Sequence, residues 1–340
     1  MISDQFADHW PLITDHCLIM KAMILAAGFG TRLWPLTEDR TKPAVPFLNR
    51  PLIAYSVEYL ASYGLNDIII NLHHQPESIR GQLGDGSQFG ARIHYSFEEE
   101  ILGTSGAIDR VRDLLVNDDF VVMNGKIVTD IDLEAAIGEH RERQAIATLV
   151  LKANRARERF SIVEVDDRNY IKKFAGFPSA SERDANADAP LMFTGIQVLS
   201  PRIFDYVPRN CFSHSTVDVY PKAMEAGEAV IAHISSGQWY ELSTIDRYLE
   251  ASLLFMQKRN LKVMSATDAV IEEGADVEDA VLWERARIER GARVRRAVIA
   301  AGVRVPEGMV IEDAVVARRD IVREVERGEI IGENVIVPLK

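Results

Sequence analysis

The C-terminal part of the chain, residues 263–340, repeats with a period of 17 residues. One set of glycines and three sets of aliphatic residues recur at that spacing: Gly274, Gly291 and Gly308; Ile271, Ile288, Val305 and Val322; Val277, Val294 and Ile311; Leu282, Ile299 and Val316. Within one period the aliphatic positions advance by six, five and six residues. Such steps, with β-branched residues and a glycine in each turn, are typical of a triangular parallel β-helix. An ordinary all-β end domain would need all four sets to coincide by chance.

Residues 21–262 alternate short apolar runs with helical patterns, whereas residues 1–20 have no clear period and are expected to be an N-terminal extension. The helical pattern is clearest at Leu52–Tyr63. The predicted buried strands are Ala22–Ala27, Asp67–Leu72, Arg92–Phe97, Phe120–Met123 and Ala147–Lys152. This alternation predicts an α/β domain with a Rossmann-like, mostly parallel sheet and helices on both faces. Ligands of such sheets bind at the carboxyl ends of strands, so the loop after Ala27 is the expected site.

The composition restricts the partners of the chain. Its 340 residues are 47% hydrophobic, which is ample for a large core, and carry a formal net charge of −12. So acidic a chain is a poor candidate for nucleic acid, whose affinity for proteins comes largely from neutralised phosphates. No run of about 18 apolar residues predicts a membrane span, and no basic segment followed by an apolar stretch predicts a signal peptide. We therefore expect a cytoplasmic protein without nucleic-acid or membrane partners.

The loop after the first predicted strand carries groups suited to polyphosphates. Gly28 and Gly30 allow close backbone approach, and their amides, with that of Thr31, can converge on phosphate oxygens. Arg32 adds a planar, permanently charged fork, and Lys42 adds a point charge beyond a turn that contains proline. The loop lacks the third glycine of the dinucleotide fingerprint and the Gly-Lys-Ser/Thr of the Walker loop. It therefore predicts phosphate binding of another kind.

The string AAGFGTRLWPLT, followed by KP, resembles the signature of the sugar-1-phosphate nucleotidyltransferases, in particular the mannose-1-phosphate guanylyltransferase-like members. Four later segments continue the resemblance: EEEILGTSG from Glu98, MNGKIVTD from Met123, FTGI from Phe193 and GQWYELSTI from Gly237. The resemblance implies that a sugar-1-phosphate oxygen attacks the α-phosphate of a nucleoside triphosphate and that pyrophosphate leaves. It also implies that the C-terminal β-helix is left-handed, and stacked coils of this kind often mediate homo-oligomers.

The resemblance assigns roles to matching positions. The expected catalytic cations are Arg32 and Lys42, which match the family, and Lys126, which does not. The residues expected to bind the nucleotide are Leu25, Ala26, Ala27, Gly28, Gly30, Thr31, Glu98, Gly103, Thr104 and Asn124, with Gly103 under the base and Glu98 at its edge. The residues expected to bind the sugar are Thr194, Gly195 and Asp218. For Asp218, a role in capping a turn is an equal alternative.

Two positions depart from the family at its Mg²⁺ site. The first metal aspartate should follow Gly125, where this chain has Lys126, and the second should follow Tyr240, where it has Glu241. Glutamate keeps the charge and can reach a metal, but lysine replaces a ligand by a cation. One pair of unit charges 4 Å apart is worth about 4 kcal/mol at an effective dielectric near 20, and the exchange changes two charge units. A standard Mg²⁺ site is therefore not expected.

Three hypotheses stay open at this point. Lys126 could itself neutralise the triphosphate while Glu241 and phosphate oxygens hold one Mg²⁺, so that the enzyme turns over. The site could instead bind a nucleotide or nucleotide-sugar without turnover, as a regulatory subunit. Alternatively, Lys126 is a sequence change at an ordinary aspartate. GTP with mannose-1-phosphate is the first expected substrate pair, because a carboxylate at Glu98 suits guanine, and glucose-1-phosphate with UTP or dTTP is the second.

Overall fold

The computed structural model describes residues 20–176 and 189–339. Apart from Met20, the predicted N-terminal extension lies outside the described residues. The chain forms two compact units, each assembled from segments that are distant in sequence. Of the described residues, unit 1 contains those up to Ala27, Tyr55–His73 and those within Leu83–Trp239, and unit 2 contains Gly28–Ala54, His74–Gln82 and those from Tyr240 onward.

Unit 1 is built on a sheet of nine strands within the described residues. In chain order these are β1 (Lys21–Leu25), β2 (Asp67–Leu72), β3 (Arg92–Phe97), β4 (Phe120–Asn124), β5 (Ala147–Ala153), β6 (Ile162–Val165), β7 (Ile171–Gly176), β8 (Leu191–Leu199) and β9 (Val230–Ile234). The spatial order is β7-β6-β8-β4-β1-β2-β3, and β5 pairs with both β8 and β9. The predicted α/β class with a central sheet is confirmed.

The centre of this sheet is parallel. β1 pairs in parallel with β2 on one side and β4 on the other, and β3 extends the set beyond β2. β8 then runs antiparallel to β4, β5 and β6. Because β1 has a neighbour on each side, Ala22, Met23 and Ile24 are fully buried, as is usual for central parallel strands. The carboxyl ends of β1, β2 and β4 consequently meet at one edge of the sheet.

Seven α-helices occur in the part of the chain that the structure describes. They are α1 (Leu52–Ser62), α2 (Glu77–Leu83), α3 (Gly103–Arg110), α4 (Arg112–Leu115), α5 (Leu133–Glu142), α6 (Tyr220–Glu225) and α7 (Ile245–Lys258). α5 begins after Asp132, whose carboxylate accepts the Ala135 amide at 3.0 Å, a standard N-cap that satisfies a helix-end donor. None of the described helices combines the length and the apolar composition needed to cross a membrane.

The core of unit 1 packs the sheet against helices and a short 3-10 turn. Met23, Val122 and Leu149 of the sheet belong to one buried cluster with residues of α3, α4 and α6. In the 3-10 turn Pro201–Asp205, Phe204 stacks on Phe120 with ring centroids 5.7 Å apart. The aliphatic runs that marked the strands in the sequence are thus the residues that hold the sheet to its helices.

The repeat region in unit 2 forms the predicted β-helix. Its strands are β10 (Val263–Ser265), β11 (Val270–Ile271), β12 (Asp276–Leu282), β13 (Arg287–Ile288), β14 (Arg293–Ile299), β15 (Arg304–Val305), β16 (Val310–Arg318), β17 (Glu329–Ile331) and β18 (Asn334–Pro338). One parallel ladder joins β10, β12, β14 and β16, and a second joins β11, β13 and β15. Ladder partners such as Ala280, Ala297 and Ala314 are 17 residues apart, which confirms the coil length.

Two series of positions with positive φ recur in three successive coils, and a further pair, Arg285 and Gly302, recurs in two. The first is the predicted glycine series Gly274, Gly291 and Gly308, with φ of 86°, 71° and 70°. The second is a non-glycine series, again spaced by 17: Asp279, Arg296 and Asp313, with φ of 52°, 45° and 46°. Beyond β16 the stacking changes, because β18 pairs with β16 in the antiparallel direction. This antiparallel pairing ends the parallel ladder.

Truncation of an inward aliphatic side chain is expected to destabilise the β-helix. Ile299 is fully buried, so Ile299→Ala should lower the free energy of unfolding by about 2–5 kcal/mol through lost burial and a residual cavity. Val310→Ala, at a position that is 57% exposed, should change it by less than about 0.5 kcal/mol. Urea denaturation followed by tryptophan fluorescence measures both values. Equal losses in the two variants would contradict the assignment of inward and outward faces.

Candidate active site

The carboxyl edge of the parallel strands in unit 1 aligns three functional segments. Leu25 at the end of β1 is in register with Asn71 of β2 and with Asn124 of β4. The Gly125 amide donates to the Leu25 carbonyl oxygen at 3.0 Å. We call the loop that follows β1 and carries Gly28, Gly30, Arg32 and Lys42 the phosphate loop. Its start and the Asn-Gly pair that precedes Lys126 therefore lie side by side at the edge where ligands of such sheets bind.

A chain of hydrogen bonds in unit 1 passes through Asn71. It connects the loop after β1 to the segment EEEILGTSG that begins at Glu98, which we call the base segment because the resemblance places the nucleotide base there. The Ala26 amide donates to Asn71 Oδ1 at 2.7 Å, and Asn71 Nδ2 donates to Glu98 Oε1 at 2.7 Å. The other carboxylate oxygen, Glu98 Oε2, accepts the Leu102 amide at 3.0 Å. Glu98 is only 1% exposed, and a buried carboxylate requires such partners. We call this series Ala26–Asn71–Glu98–Leu102 the asparagine relay.

The asparagine relay changes the interpretation of Glu98. The sequence places this carboxylate at the edge of the nucleotide base, whereas in the structure both of its oxygens accept bonds from the protein. Its observed role is to hold the base segment next to β2. Sequence reasoning missed Asn71, although it has a visible signal: it is the single amide side chain within the aliphatic run of β2, Asp67–Leu72.

The base segment is also held by residues 211–215. Gly103 has φ of +75°, and a Cβ there would lie 2.4 Å from the Ser213 carbonyl oxygen. The Ser105 amide donates to that same carbonyl oxygen at 3.1 Å, and Thr104 Oγ1 accepts the Ser215 amide at 2.9 Å. Glycine at position 103 is therefore required by this packing and by its backbone conformation, whatever contact it makes with a base.

Gly195, one of the residues expected to bind the sugar, lies close to Asn124. A Cβ on Gly195 would lie 2.1 Å from Asn124 Nδ2, and its φ of +84° also favours glycine. Thr194 is buried: its hydroxyl donates to the Val150 carbonyl at 2.8 Å, and its carbonyl accepts Trp239 Nε1 at 3.0 Å. The hydroxyl of Thr194 is thus engaged within the sheet, and the predicted contact of Thr194 with sugar stays a prediction.

Asp218 takes the second of its two predicted roles in the structure. Its carboxylate accepts the His214 amide at 2.7 Å, which closes the turn that leads into the π-helix Ser215–Val219. A local bond of this kind is typical of an aspartate that caps a turn. Its predicted contact with sugar hydroxyls is not tested by this arrangement.

In unit 2 the phosphate loop folds back on itself. Gly30 has φ of +73°, and a Cβ there would lie 3.0 Å from Lys42 Cβ. The Gly30 carbonyl accepts the Leu33 amide at 2.9 Å and the Thr37 hydroxyl at 3.4 Å. Lys42 is buried within the 3-10 turn Lys42–Ala44, while Arg32 is exposed. The loop therefore brings a lysine beside its glycine turn and presents an arginine to solvent.

Glu241, the predicted metal ligand, forms an ion pair within unit 2. Its Oε2 accepts the Ser243 hydroxyl and Arg247 Nη1, the latter at 2.9 Å. The described residues contain no group of three or more His, Cys, Asp or Glu arranged to hold a metal ion. The resemblance expects metal ligands at positions 126 and 241. Because the first is a lysine and the second is paired with Arg247, these residues do not supply the two carboxylates expected for Mg²⁺.

Comparison with known proteins identifies the family. The sequence profile of the "Nucleotidyl transferase" family matches residues 21–258, and that of the "GlmU-like, C-terminal hexapeptide" family matches residues 222–331. The chain belongs to the nucleotidyl transferase family. Its C-terminal coils are those of a hexapeptide left-handed β-helix, as predicted.

Several relatives match about 70% of the chain. A UTP–glucose-1-phosphate uridylyltransferase of Synechocystis sp. is 32% identical over 259 residues, which cover 72% of this chain and 66% of the relative. A mannose-1-phosphate guanylyltransferase of Mycobacterium tuberculosis is 27% identical over 234 residues, which cover 68% of this chain and 64% of the relative. The chain thus spans slightly less than two thirds of the length of these two relatives.

A solved structure supports the fold. The crystal structure of HddC from Yersinia pseudotuberculosis superposes on this chain with a TM-score of 0.60 at 22% identity. The match covers 70% of this chain and all of that one, 100%. At this identity the likeness concerns the fold alone.

Loss of the amide at the centre of the asparagine relay should disturb the base segment. Asn71→Ala leaves the Ala26 amide and Glu98 Oε1 without their shared partner, so the free energy of unfolding should fall by about 1–3 kcal/mol. Chemical denaturation measures this loss. Asn66→Ala, which truncates an exposed asparagine, is the control and should cost less. A loss no larger than that of the control would contradict the relay.

A side chain at position 195 should displace Asn124. Gly195→Ala is expected to weaken nucleotide binding by about tenfold, because displacement of a contact group by about 1 Å is costly. Gly227→Ala is the control, since Gly227 has the same φ of +84° with nothing within 4 Å of its Cβ position. Titration with a fluorescent nucleotide compares the two variants. Equal weakening would show that backbone strain alone, and not Asn124, is responsible.

Proposed function

We propose that this chain is a sugar-1-phosphate nucleotidyltransferase that makes a nucleotide-sugar and pyrophosphate. The observation that carries the proposal is the phosphate loop, in which the left-handed Gly30 packs against Lys42 while Arg32 is exposed. Backbone amides and two cations on one short loop suit a triphosphate. Membership of the nucleotidyl transferase family, and relatives named as transferases of uridylyl and guanylyl groups to sugar phosphates, support the same reaction.

The chemistry requires compensation of charge. A phosphate oxygen of the sugar-1-phosphate attacks the α-phosphorus of the triphosphate, and the bond to the departing pyrophosphate breaks in line with the attack. Both reactants are polyanions, so cations must offset their repulsion and stabilise the charge that develops on the transferred group. In this proposal Arg32, Lys42 and Lys126 supply those charges, and the amides of the glycine turn orient the phosphates.

Mg²⁺ enters the proposal as part of the substrate. Divalent ions accompany nucleoside triphosphates, and an ion on their phosphate oxygens neutralises part of the charge in such transfers. Among the described residues no three His, Cys, Asp or Glu are grouped to hold an ion, and Glu241 accepts bonds from Arg247 and Ser243. Lys126 thus substitutes for the charge that a resident ion would bring.

The substrate pair stays a proposal with two members. We expected guanine because a carboxylate at Glu98 suits its two donors, and in the structure the two oxygens of Glu98 accept bonds from Asn71 and Leu102. GTP with mannose-1-phosphate is supported by the guanylyltransferase relatives. Glucose-1-phosphate with UTP is supported by the uridylyltransferase relative, which has the higher identity of 32%. We further propose a cytoplasmic homo-oligomer that assembles through its β-helix.

A regulatory role is the second candidate function. The specific observation in its favour is that both metal positions carry or contact a cation, Lys126 at one and Arg247 at the other. A chain altered in this way would bind a nucleotide or nucleotide-sugar without turnover and act on an active homologue.

One assay separates these functions. The purified chain is incubated with GTP, UTP or dTTP, each with mannose-1-phosphate or glucose-1-phosphate and Mg²⁺, and pyrophosphate release is followed. We expect release for at least one pair, dependent on both substrates. Clear nucleotide binding without release for any pair would exclude the transferase and leave the regulatory role.

The charge of Lys126 should favour the reaction. Lys126→Met removes one cation near the phosphates and should lower kcat/KM by about 10²-fold, and Lys126→Asp, which reverses the charge, should lower it further. Lys222→Met, which removes an exposed lysine from α6, is the control. Steady-state kinetics at saturating Mg²⁺ give the values. Higher activity in Lys126→Asp than in the natural sequence would contradict the role of Lys126 and indicate that the lysine blocks an ordinary metal site.

A further inference from the structure

Arg40 is a buried arginine in unit 2, two residues before Lys42, and it is 9% exposed. Its guanidinium forms a fork with Asp39, with Nε–Oδ1 and Nη2–Oδ2 distances of 2.9 and 3.1 Å. Nη2 also donates to Glu284 Oε1 at 2.6 Å. The guanidinium carbon lies 5.0 Å from the centroid of the Trp283 ring. A planar fork that bonds two carboxylates while resting on an aromatic face is a geometry specific to arginine.

We call residues 40–46 the Lys42 segment. Its other end, at Pro46, is connected to the same indole ring through Tyr248. Trp283 is 1% exposed, and its Nε1 donates to the Tyr248 hydroxyl at 3.0 Å. That hydroxyl in turn donates to the Pro46 carbonyl oxygen at 2.6 Å. One face of Trp283 therefore holds Arg40, and its ring nitrogen, acting through Tyr248 of α7, holds Pro46. Lys42 lies between these two anchors.

The chain between the anchors is held as well. The Thr41 amide donates to Ser78 Oγ at 3.2 Å, and the Val45 amide closes the 3-10 turn on the Lys42 carbonyl at 3.1 Å. Few torsions of residues 40–46 are consequently left to move once Arg40 and Pro46 are fixed. A lysine held in this way needs little reorganisation to meet a phosphate.

Trp283 and Glu284 interrupt the repeat of the β-helix. One coil earlier the corresponding positions are Ala266 and Thr267, and one coil later they are Ala300 and Ala301. The backbone bonds are equivalent in adjacent coils, since the Trp283 amide donates to the Ile299 carbonyl and the Ala300 amide to the Val316 carbonyl, both at 2.9 Å. A coil therefore forms with alanine at this position. The Trp283-Glu284 pair is not needed for the coil itself and is explained by its contacts outside the repeat.

The charge of Arg40 is directed to carboxylates. Burial lowers the pKa of the Arg40 guanidinium, but its bonds to Asp39 and Glu284 and their negative charges outweigh burial and raise that pKa overall. The guanidinium stays protonated, with two carboxylates against it. This arrangement suits a structural anchor better than a group that binds phosphate.

We propose that Trp283, Glu284 and Tyr248 form a clamp, which we call the indole clamp, that fixes the Lys42 segment through Arg40 and Pro46. Arg40 and Trp283 are positioning residues for the triphosphate, and the β-helix contributes to substrate binding through this one specialised coil. The inference deepens the proposed function and rests on it for the identity of the ligand. The mobility of the segment does not depend on that identity.

Two substitutions separate a clamp from a direct action of the Arg40 charge on phosphate. Arg40→Lys keeps the charge and loses the fork, and Glu284→Gln removes a negative charge that would otherwise oppose a phosphate. The indole clamp predicts that Arg40→Met, Arg40→Lys and Glu284→Gln each raise the KM for the triphosphate by about tenfold or more, with the KM for the sugar-1-phosphate unchanged. Arg287→Met is the control, because it breaks a β-helix ion pair with Glu272 and should leave both constants unchanged.

Hydrogen exchange of the unliganded full chain provides the readout that is independent of activity. The amides of residues 41–47 should exchange faster in Arg40→Met and Arg40→Lys than in the natural chain or in Arg287→Met, while the β-helix amides stay protected. Unchanged exchange in the Arg40 variants would overturn the proposal, as would full kinetic rescue by Arg40→Lys or tighter triphosphate binding in Glu284→Gln. If no triphosphate is bound or converted by the natural chain, the proposed function fails while the exchange data still decide the clamp.

Discussion

The register of β1 between β2 and β4 is the constraint on which the candidate site in unit 1 depends. It places Leu25, Asn71 and Asn124 in line, and the asparagine relay follows from that alignment. Side chains alternate between the two faces of a strand, so a slip of β2 by one residue would turn Asn71 to the opposite face and leave the Ala26 amide without its acceptor. Because the aliphatic core of these strands fixes the register, apolar packing sets the polar geometry at their ends.

The sequence predicted the β-helix better than the sheet, for a physical reason. Each coil repeats the same local interactions, so the 17-residue period alone reveals its length, its inward residues and its glycine corners. The corners at Asp279, Arg296 and Asp313 have a weaker signal, because aspartate is only enriched at positive φ and arginine is not. The antiparallel direction of β8 could not be predicted either. An aliphatic run such as Leu191–Leu199 carries no information about strand direction, because the direction depends on where the chain crosses the sheet.

The candidate site shows the same division between local and distant information. The glycine loop could be predicted because its function depends on neighbours in sequence. Asn71 stands out in the sequence as the amide of an aliphatic run, but its role and that of Arg247 come from pairings that only the fold creates. Asn71 joins residues 45 positions before it and 27 after it. The carboxylate of Glu98 was visible in the sequence, but the donors that engage its two oxygens were not. The residue type thus indicated which bonds a side chain can make, and the tertiary contacts determined which partners it has.

The arginines of unit 2 show how a chain with a net charge of −12 can still handle a polyanion. Arg40 and Arg247 are bonded to carboxylates, Asp39 and Glu284 for the first and Glu241 for the second. The Arg247–Glu241 pair is nearly neutral at a distance because its two charges cancel, and the Arg40 group, with its two carboxylates, is net negative. Their contribution is geometric: they hold loops in place. The long-range charge of the protein is unfavourable for a triphosphate, so binding must come from cations brought into direct contact with phosphate. This requirement makes the exact position of Lys42, rather than the number of basic residues, the quantity that the surrounding structure has to control.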